Sequence, residues 1–162
     1  IAAILSARSP HRVDGTAVYL TSTVRYAPVA LMHNLKHNKV LHASNVILTV
    51  KTAETPRIDP ADRDSLVRLN DDFVQITLNY GFMESPNVPK ALAKQPDPSL
   101  KLDPMLTSYF VGRRSIVPAE KSAMPDWQDQ LFIFLMKNAA NPTDFFKIPP
   151  GRVVELGAQV TV

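Results

Sequence analysis

His33 and His37 stand four residues apart, the spacing at which two imidazoles on one helical face can share a metal ion. On a helix drawn through Leu31, Met32 and Leu35, however, both rings fall opposite the apolar stripe. No acidic residue is interleaved as in HExxH, and the chain holds no cysteine, so the ligand set of a structural metal site is incomplete. The pair reads as surface histidines beside Lys36 and Lys39.

A second group of chemistry-bearing residues is Thr21, Ser22, Thr23 and Arg25. They follow an expected strand and lead into a helix that starts near Pro28. In open α/β sheets ligands bind where strands end, and a helix N-terminus presents free N–H groups to anions. Three hydroxyls and a guanidinium there would suit a phosphate, or a nucleotide that carries one. Neither GxGxxG nor a Walker lysine motif accompanies them, so an ordinary strand-to-helix loop is the simpler reading.

Other chemistry is thinly supported. There is no GxSxG elbow, and the hydroxyls after the first strand have no recognisable histidine partner. Asp59, Asp62, Asp64, Asp71 and Asp72 sit in expected loops and turns, where aspartate is common for backbone reasons. Nothing identifies a paired general acid and base, and the expectation is a non-enzyme that needs no cofactor. Lys36, His37, Lys39, Arg113 and Arg114 scatter positive charge without interleaved aromatics, which argues against nucleic acid. A solvated face, or attraction to an anionic membrane leaflet, accounts for them.

The whole chain sets the bounds. Its 162 residues are enough for one domain with a core, and 45% hydrophobic against 20% charged residues is ordinary for a globular protein. The net charge of +3 is too small to mark a nucleic-acid partner. Without cysteine there are no disulfides, thiolate metal sites or cysteine nucleophiles, which suits the cytosol. Apolar runs such as LFIFLM (residues 131–136) fall far short of the roughly 20 residues that cross a bilayer. The chain begins at Ile1 without an initiator methionine or signal peptide and reads as a piece of a longer polypeptide.

The elements that must position these groups follow from periodicity. Thr16–Ser22 after Gly15 reads as a strand, and VILTV within Asn45–Lys51 as a strand covered on both faces. The helix between them, with Pro28 in its first turn, completes a βαβ unit of parallel strands. Residues 54–64 form a loop; Leu66–Asn70 and Phe73–Tyr80 form a hairpin about Asn70, Asp71 and Asp72. A short helix spans Val88–Gln95, and Leu106–Val117 is one strand bent at Gly112 or two short ones. Pro125 opens the longest helix, reaching about Ala140, with Trp127, Leu131, Phe134 and Leu135 on one stripe. Phe132, Ile133 and Met136 widen its apolar surface, so that Trp127, Phe132, Ile133 and Met136 are candidate interface residues. Asn141 and Pro142 read as the cap and first turn of a short helix carrying Phe145 and Phe146, and Arg152–Val162 is a last strand. The expected fold is a single α/β domain with a mixed sheet of about five strands, the βαβ unit in its N-terminal half and flanking helices. Residues 1–12 are expected to be the end of a connecting helix, and residues 13–162 the domain.

Several blocks, taken in order, carry a likeness: SPHRVDGTAVYLTST (Ser9–Thr23), ALMHNLKHNKVLHASNVILTV (Ala30–Val50), NYGFMESPNVPKAL (Asn79–Leu92), SYFVGRR (Ser108–Arg114) and NPTDFFKIPPGRVVELGAQVTV (Asn141–Val162). The chain resembles, over nearly its whole length from about Ser6, the C-terminal cytoplasmic domain of the Kup-type (Kup/HAK/KT family) potassium uptake permeases. HNLKHNKVLH and IPPGRVVELG are its most specific parts.

The resemblance implies a membrane protein that brings potassium into the cell by symport with protons. The membrane-spanning part of the same polypeptide would hold the potassium and proton sites, and none of them maps onto this chain. It further implies a regulatory and assembly role at the cytoplasmic face of the membrane, a homodimer in the full protein, and in some members regulation by a cyclic dinucleotide. A stand-alone nucleotide-binding module using Thr21–Ala27 is the alternative reading, and an enzyme with an unrecognised site a third.

Overall fold

The computed structural model describes residues 10–23, 26–95, 97, 100, 102–103, 105–117 and 142–161. Among these, six strands form one sheet in the order β3-β4-β2-β1-β5-β6. Strand β1 is His11–Thr21, helix α1 is Val29–His33 continued by a π-helical turn at Asn34–Asn38, and β2 is Val40–Ala53. Strands β3 (Asp64–Arg68) and β4 (Phe73–Gly81) form the hairpin, α2 is Val88–Leu92 and β5 is Thr107–Val117. Helix α3 (Pro142–Phe145) and β6 (Val153–Thr161) complete the chain. All neighbouring pairs are parallel except β3–β4, so the sheet is mixed, with one strand more than expected.

β1 and β2 lie parallel across the α1 crossover, as the βαβ reading requires. Pro28 stands one residue before the helix and its carbonyl accepts from Met32 N–H at 3.1 Å. Of the expected apolar stripe, Leu31 and Leu35 are buried and Met32 is half-buried. Alternation then divides the core between the two faces of the sheet. One face carries Ala17, Tyr19, Ile47, Phe73 and Phe110 beneath Ala30, Leu31 and Leu35 of the α1 segment. The other carries Val18, Val46, Leu48, Ile76, Leu78 and Tyr109 beneath Val88 and Leu92 of α2, with Ile148. Each large side chain so enclosed contributes about 1.5–3 kcal/mol.

Several boundaries differ from expectation. The first hairpin arm is Asp64–Arg68 rather than Leu66–Asn70, and α2 ends at Leu92 rather than Gln95. Gly15 does not precede β1 but lies within it at φ +101°, at a break in register between Val13 and Thr16. That is where a β-bulge uses glycine, and it lets His11–Val13 pair with Val40–His42. Strand β2 is correspondingly longer than its apolar run. Gly112 does not split β5, which is one strand; it pairs with Leu156 in an unbroken ladder to β6. The expected helix from Pro125 to Ala140 lies outside the described residues.

Candidate functional site

The five strands β4-β2-β1-β5-β6 run parallel, so their carboxyl ends share one edge of the sheet. Strand β2 is added on one side of β1 and β5 on the other, which makes the β1–β5 gap the point where strand order reverses. Ladder pairing between these two ends at Tyr19–Phe110, leaving Thr21 beside the gap. Thr21 is also the first of a row of hydroxyls in register across the sheet, Thr21–Thr49–Thr77–Ser65. Thr49 is 1% exposed and its Oγ1 has no hydrogen-bond partner.

The loop after β1 spends its polar groups on itself. Thr21 Oγ1 accepts from the Thr23 N–H at 3.3 Å and donates to the Thr23 carbonyl at 3.1 Å, closing a local turn. Ser22 and Thr23 are exposed, and Arg25 lies outside the described residues. Three of the four expected anion-site residues are therefore adjacent at the switch point.

The densest polar construction at this edge joins the loop after β2 to the turn after β4. Arg63 meets Glu84 in a two-pronged ion pair, with Nη2···Oε1 at 2.6 Å and Nη1···Oε2 at 2.9 Å. The same guanidinium donates to the carbonyls of Ile58 (3.1 Å) and Asn79 (3.3 Å) and lies 4.8 Å from the centre of the Tyr80 ring. Glu84 Oε2 also accepts from the Gly81 N–H at 2.7 Å. These bonds, that from Arg63 foremost, hold the Glu84 carboxyl down at about 2. Phe82 N–H and Met83 N–H donate to the carbonyls of Thr55 and Pro56, both at 3.1 Å. The result is a pinned turn whose two tip residues, Phe82 and Met83, are 58% and 71% exposed. Sequence reasoning missed this clamp because its members are 21 residues apart; the one signal was Gly81, read only as a strand end.

Asn34, inside the HNLKHNKVLH block, is 3% exposed. Its Nδ2 donates to the Tyr19 hydroxyl (3.2 Å) and the Val40 carbonyl (3.0 Å), and its Oδ1 accepts from Asn38 Nδ2 at 2.8 Å. Burial pushes the Tyr19 phenol up to about 12. Lys39, at φ 55°, ends the helical segment in the left-handed conformation. Its N–H donates to the Asn34 carbonyl, and its own carbonyl accepts from the His11 N–H. This block is thus a structural corner. His33 and His37 lie with ring centres 5.7 Å apart, and among the described residues no three potential metal ligands cluster. Arg113 is tied to Glu155 at 3.2 Å. The interface candidates Trp127, Phe132, Ile133 and Met136 all lie outside the described residues.

Residues 14–162 match the family model described as the K+ potassium transporter C-terminal domain. The chain belongs to that family. It is 69% identical over 159 residues to a "Probable potassium transport system protein Kup" of Caulobacter vibrioides, covering 98% of this chain and 24% of that protein. It is 56% identical over 158 residues to a "Probable potassium transport system protein Kup 2" of Rhodopseudomonas palustris, covering 98% of this chain and 25% of the relative. A "Probable potassium transport system protein Kup 1" of Rhizorhabdus wittichii is 52% identical over 165 residues, with 100% and 25% covered. The chain therefore spans about a quarter of the length of the curated relatives it matches. No solved structure matches it. Among the described residues of this transporter C-terminal domain, no helix is long and apolar enough to cross a membrane. The relatives' names are those of transport proteins, not of enzymes.

Proposed function

We propose that this chain is the cytoplasmic regulatory and assembly domain of a potassium uptake permease, working as part of a potassium–proton symporter. The observation that carries the reading is the 69% identity to one quarter of a Kup potassium transport protein. The ion path belongs to the membrane-spanning part, and the domain acts on it at the inner face of the membrane, within a homodimer. The expected test uses the whole gene in bacteria that lack potassium uptake. Full-length protein restores rubidium influx, collapse of the proton gradient abolishes it, and removal of residues 13–162 alters its rate or its response to external potassium. Whole protein that reaches the membrane but restores no influx overturns the reading.

A regulatory ligand bearing phosphate, such as a cyclic dinucleotide, would contact Thr21, Ser22, Thr23 and Arg25. The position of Thr21 at the strand-order reversal favours that loop. Its test is a binding isotherm with the cyclic dinucleotide on the full-length protein. Joint replacement of Ser22, Thr23 and Arg25 by alanine is expected to abolish saturation, and an unchanged isotherm rejects the loop.

A further inference from the structure

The turn after β4 holds two large apolar side chains out into solvent on an unusually well-fixed base. Exposed Phe and Met are ordinary when scattered, but here they are adjacent, and the backbone beneath them is held by hydrogen bonds. Both of their N–H groups are bonded to the 55–56 segment, the Glu84 N–H donates to the Gly81 carbonyl at 3.0 Å, and the Arg63–Glu84 pair closes the turn from below. A tip fixed in this way loses little conformational freedom on binding, which is the property of a preorganised anchor.

The surroundings of the tip identify what it fits. The paired segments, residues 54–63 and 82–84, carry Glu54, Asp59, Asp62 and Glu84 against Arg57 and Arg63, and Arg63 is committed to Glu84. Glu54, Asp59 and Asp62 are exposed, as is Arg57, so in these segments the exposed acids outnumber the exposed cation three to one. This corner is therefore acidic in a domain whose net charge is +3. An acidic rim is repelled by the anionic headgroups of an inner leaflet. It is equally repelled by its own copy across a two-fold axis, where the same patch would face itself. What complements it is an apolar crevice rimmed by lysine and arginine. Loops on the cytoplasmic side of membrane proteins carry an excess of those residues.

We infer that Phe82 and Met83 dock the domain onto a Lys/Arg-rich cytoplasmic loop of the membrane-spanning part of the same polypeptide, with Glu54, Asp59 and Asp62 facing that loop's cations. The inference rests on the permease reading given above. Two side chains make a small contact, but a partner on the same chain is present at millimolar effective concentration, so a small contact suffices.

The test places a photo-cross-linking phenylalanine at position 82 of the full-length protein in native membranes, and the same label at Val67, which is 51% exposed on β3. Mass spectrometry identifies the peptides captured. The expected result is an adduct from position 82 to a Lys/Arg-containing loop between membrane spans, absent from position 67. Its yield falls several-fold at about 1 M salt, where the screening length is about 3 Å. It falls likewise when Glu54→Lys and Asp59→Lys are combined, a change confined to exposed side chains. Capture of lipid or of a second copy at position 82, or no capture there, overturns the docking surface. If position 67 captures the membrane part while position 82 does not, the permease reading stands and this inference alone fails. A gene with no membrane-spanning segments would remove both.

Discussion

Arg63 and Glu84 form a two-pronged ion pair at 2.6 and 2.9 Å that fastens the loop after β2 to the turn after β4. Both side chains are mostly enclosed, at 24% and 19% exposure, and each terminal nitrogen of the guanidinium donates to a backbone carbonyl as well as to the carboxylate. The pair sits one residue away from the exposed Met83, so local stability and the presentation of the tip depend on the same two side chains.

The pH dependence of this clamp has a definite sign. Glu84 is held at about 2, below its ordinary 4.5, so the folded state favours the ionised carboxylate. Its contribution is fully present above about pH 5 and is lost as pH falls through 4.5 toward 2. Melting curves of wild type and Glu84→Gln are therefore expected to differ most at neutral pH and to converge on acidification. A melting difference that stays constant down to pH 2 would show that the ion pair contributes nothing to stability.

Gly81 permits the close approach beneath the same turn. A Cβ placed there would lie 2.3 Å from the Pro56 carbonyl oxygen, and that obstacle is backbone, which cannot swing aside. Gly81→Ala is expected to cost about 3 kcal/mol or more, lowering the melting temperature by roughly 6–12 °C for a domain of this size. Gly112→Ala, where a Cβ would meet nothing within 4 Å, is the matched control and should shift the melt little. Equal losses in the two variants would remove the steric account.

Much of the fold could be read from the sequence wherever one physical cause dominated. VILTV, apolar on consecutive positions, is a central strand because both faces of the sheet are covered there. Period-two alternation placed Val74, Ile76, Leu78 and Tyr80 on one face, where the structure has them. What escaped were features set by distant contacts. Gly15 is a bulge inside a strand because His11–Val13 have β2 to pair with, and no local pattern announces that. Asn34 falls between the buried Leu31 and Leu35, yet its neighbours His33, Lys36 and His37 made the segment look like a solvated face. The hydroxyls after β1 were correctly placed at a strand end, but the self-bonding of Thr21 and Thr23 is a matter of loop geometry. The Arg63–Glu84 clamp joins two loops, and residue type alone does not pair them.

Asn34 is expected to be the costlier half of its contact with Tyr19. Tyr19→Phe removes one hydrogen bond, a loss of about 1 kcal/mol. Asn34→Ala also strips partners from the Val40 carbonyl and Asn38, and should cost roughly 2–3 kcal/mol. Thermal melts of the two variants check the order. Spectroscopic titration supplies a second reading, because burial raises the phenols of Tyr19 and Tyr109 to about 12. Raised folded-state values mean that their contribution is intact below pH 10 and lost between 10 and 12. Two of the four tyrosines should therefore ionise only as the protein unfolds in base.

His42 sets the last expectation. Its ring stands edge-on to Phe110, with centres 5.9 Å apart, and its Nδ1 is buried without a hydrogen-bond partner. Burial lowers its pKa below the ordinary 6.5, so folding disfavours the protonated ring. The sign is that of a depressed group: stability is complete above about pH 7 and declines as pH falls through 6.5, where the unfolded chain takes up a proton that the folded chain resists. His42→Leu keeps the volume, removes the orphaned nitrogen and deletes the titration. It is expected to lie within about 1 kcal/mol of wild type at neutral pH and to gain on wild type as the solution is made mildly acidic. Parallel melting profiles for the two proteins across that range would show that the ring nitrogen is solvated, and would place His42 outside the packing around Phe110.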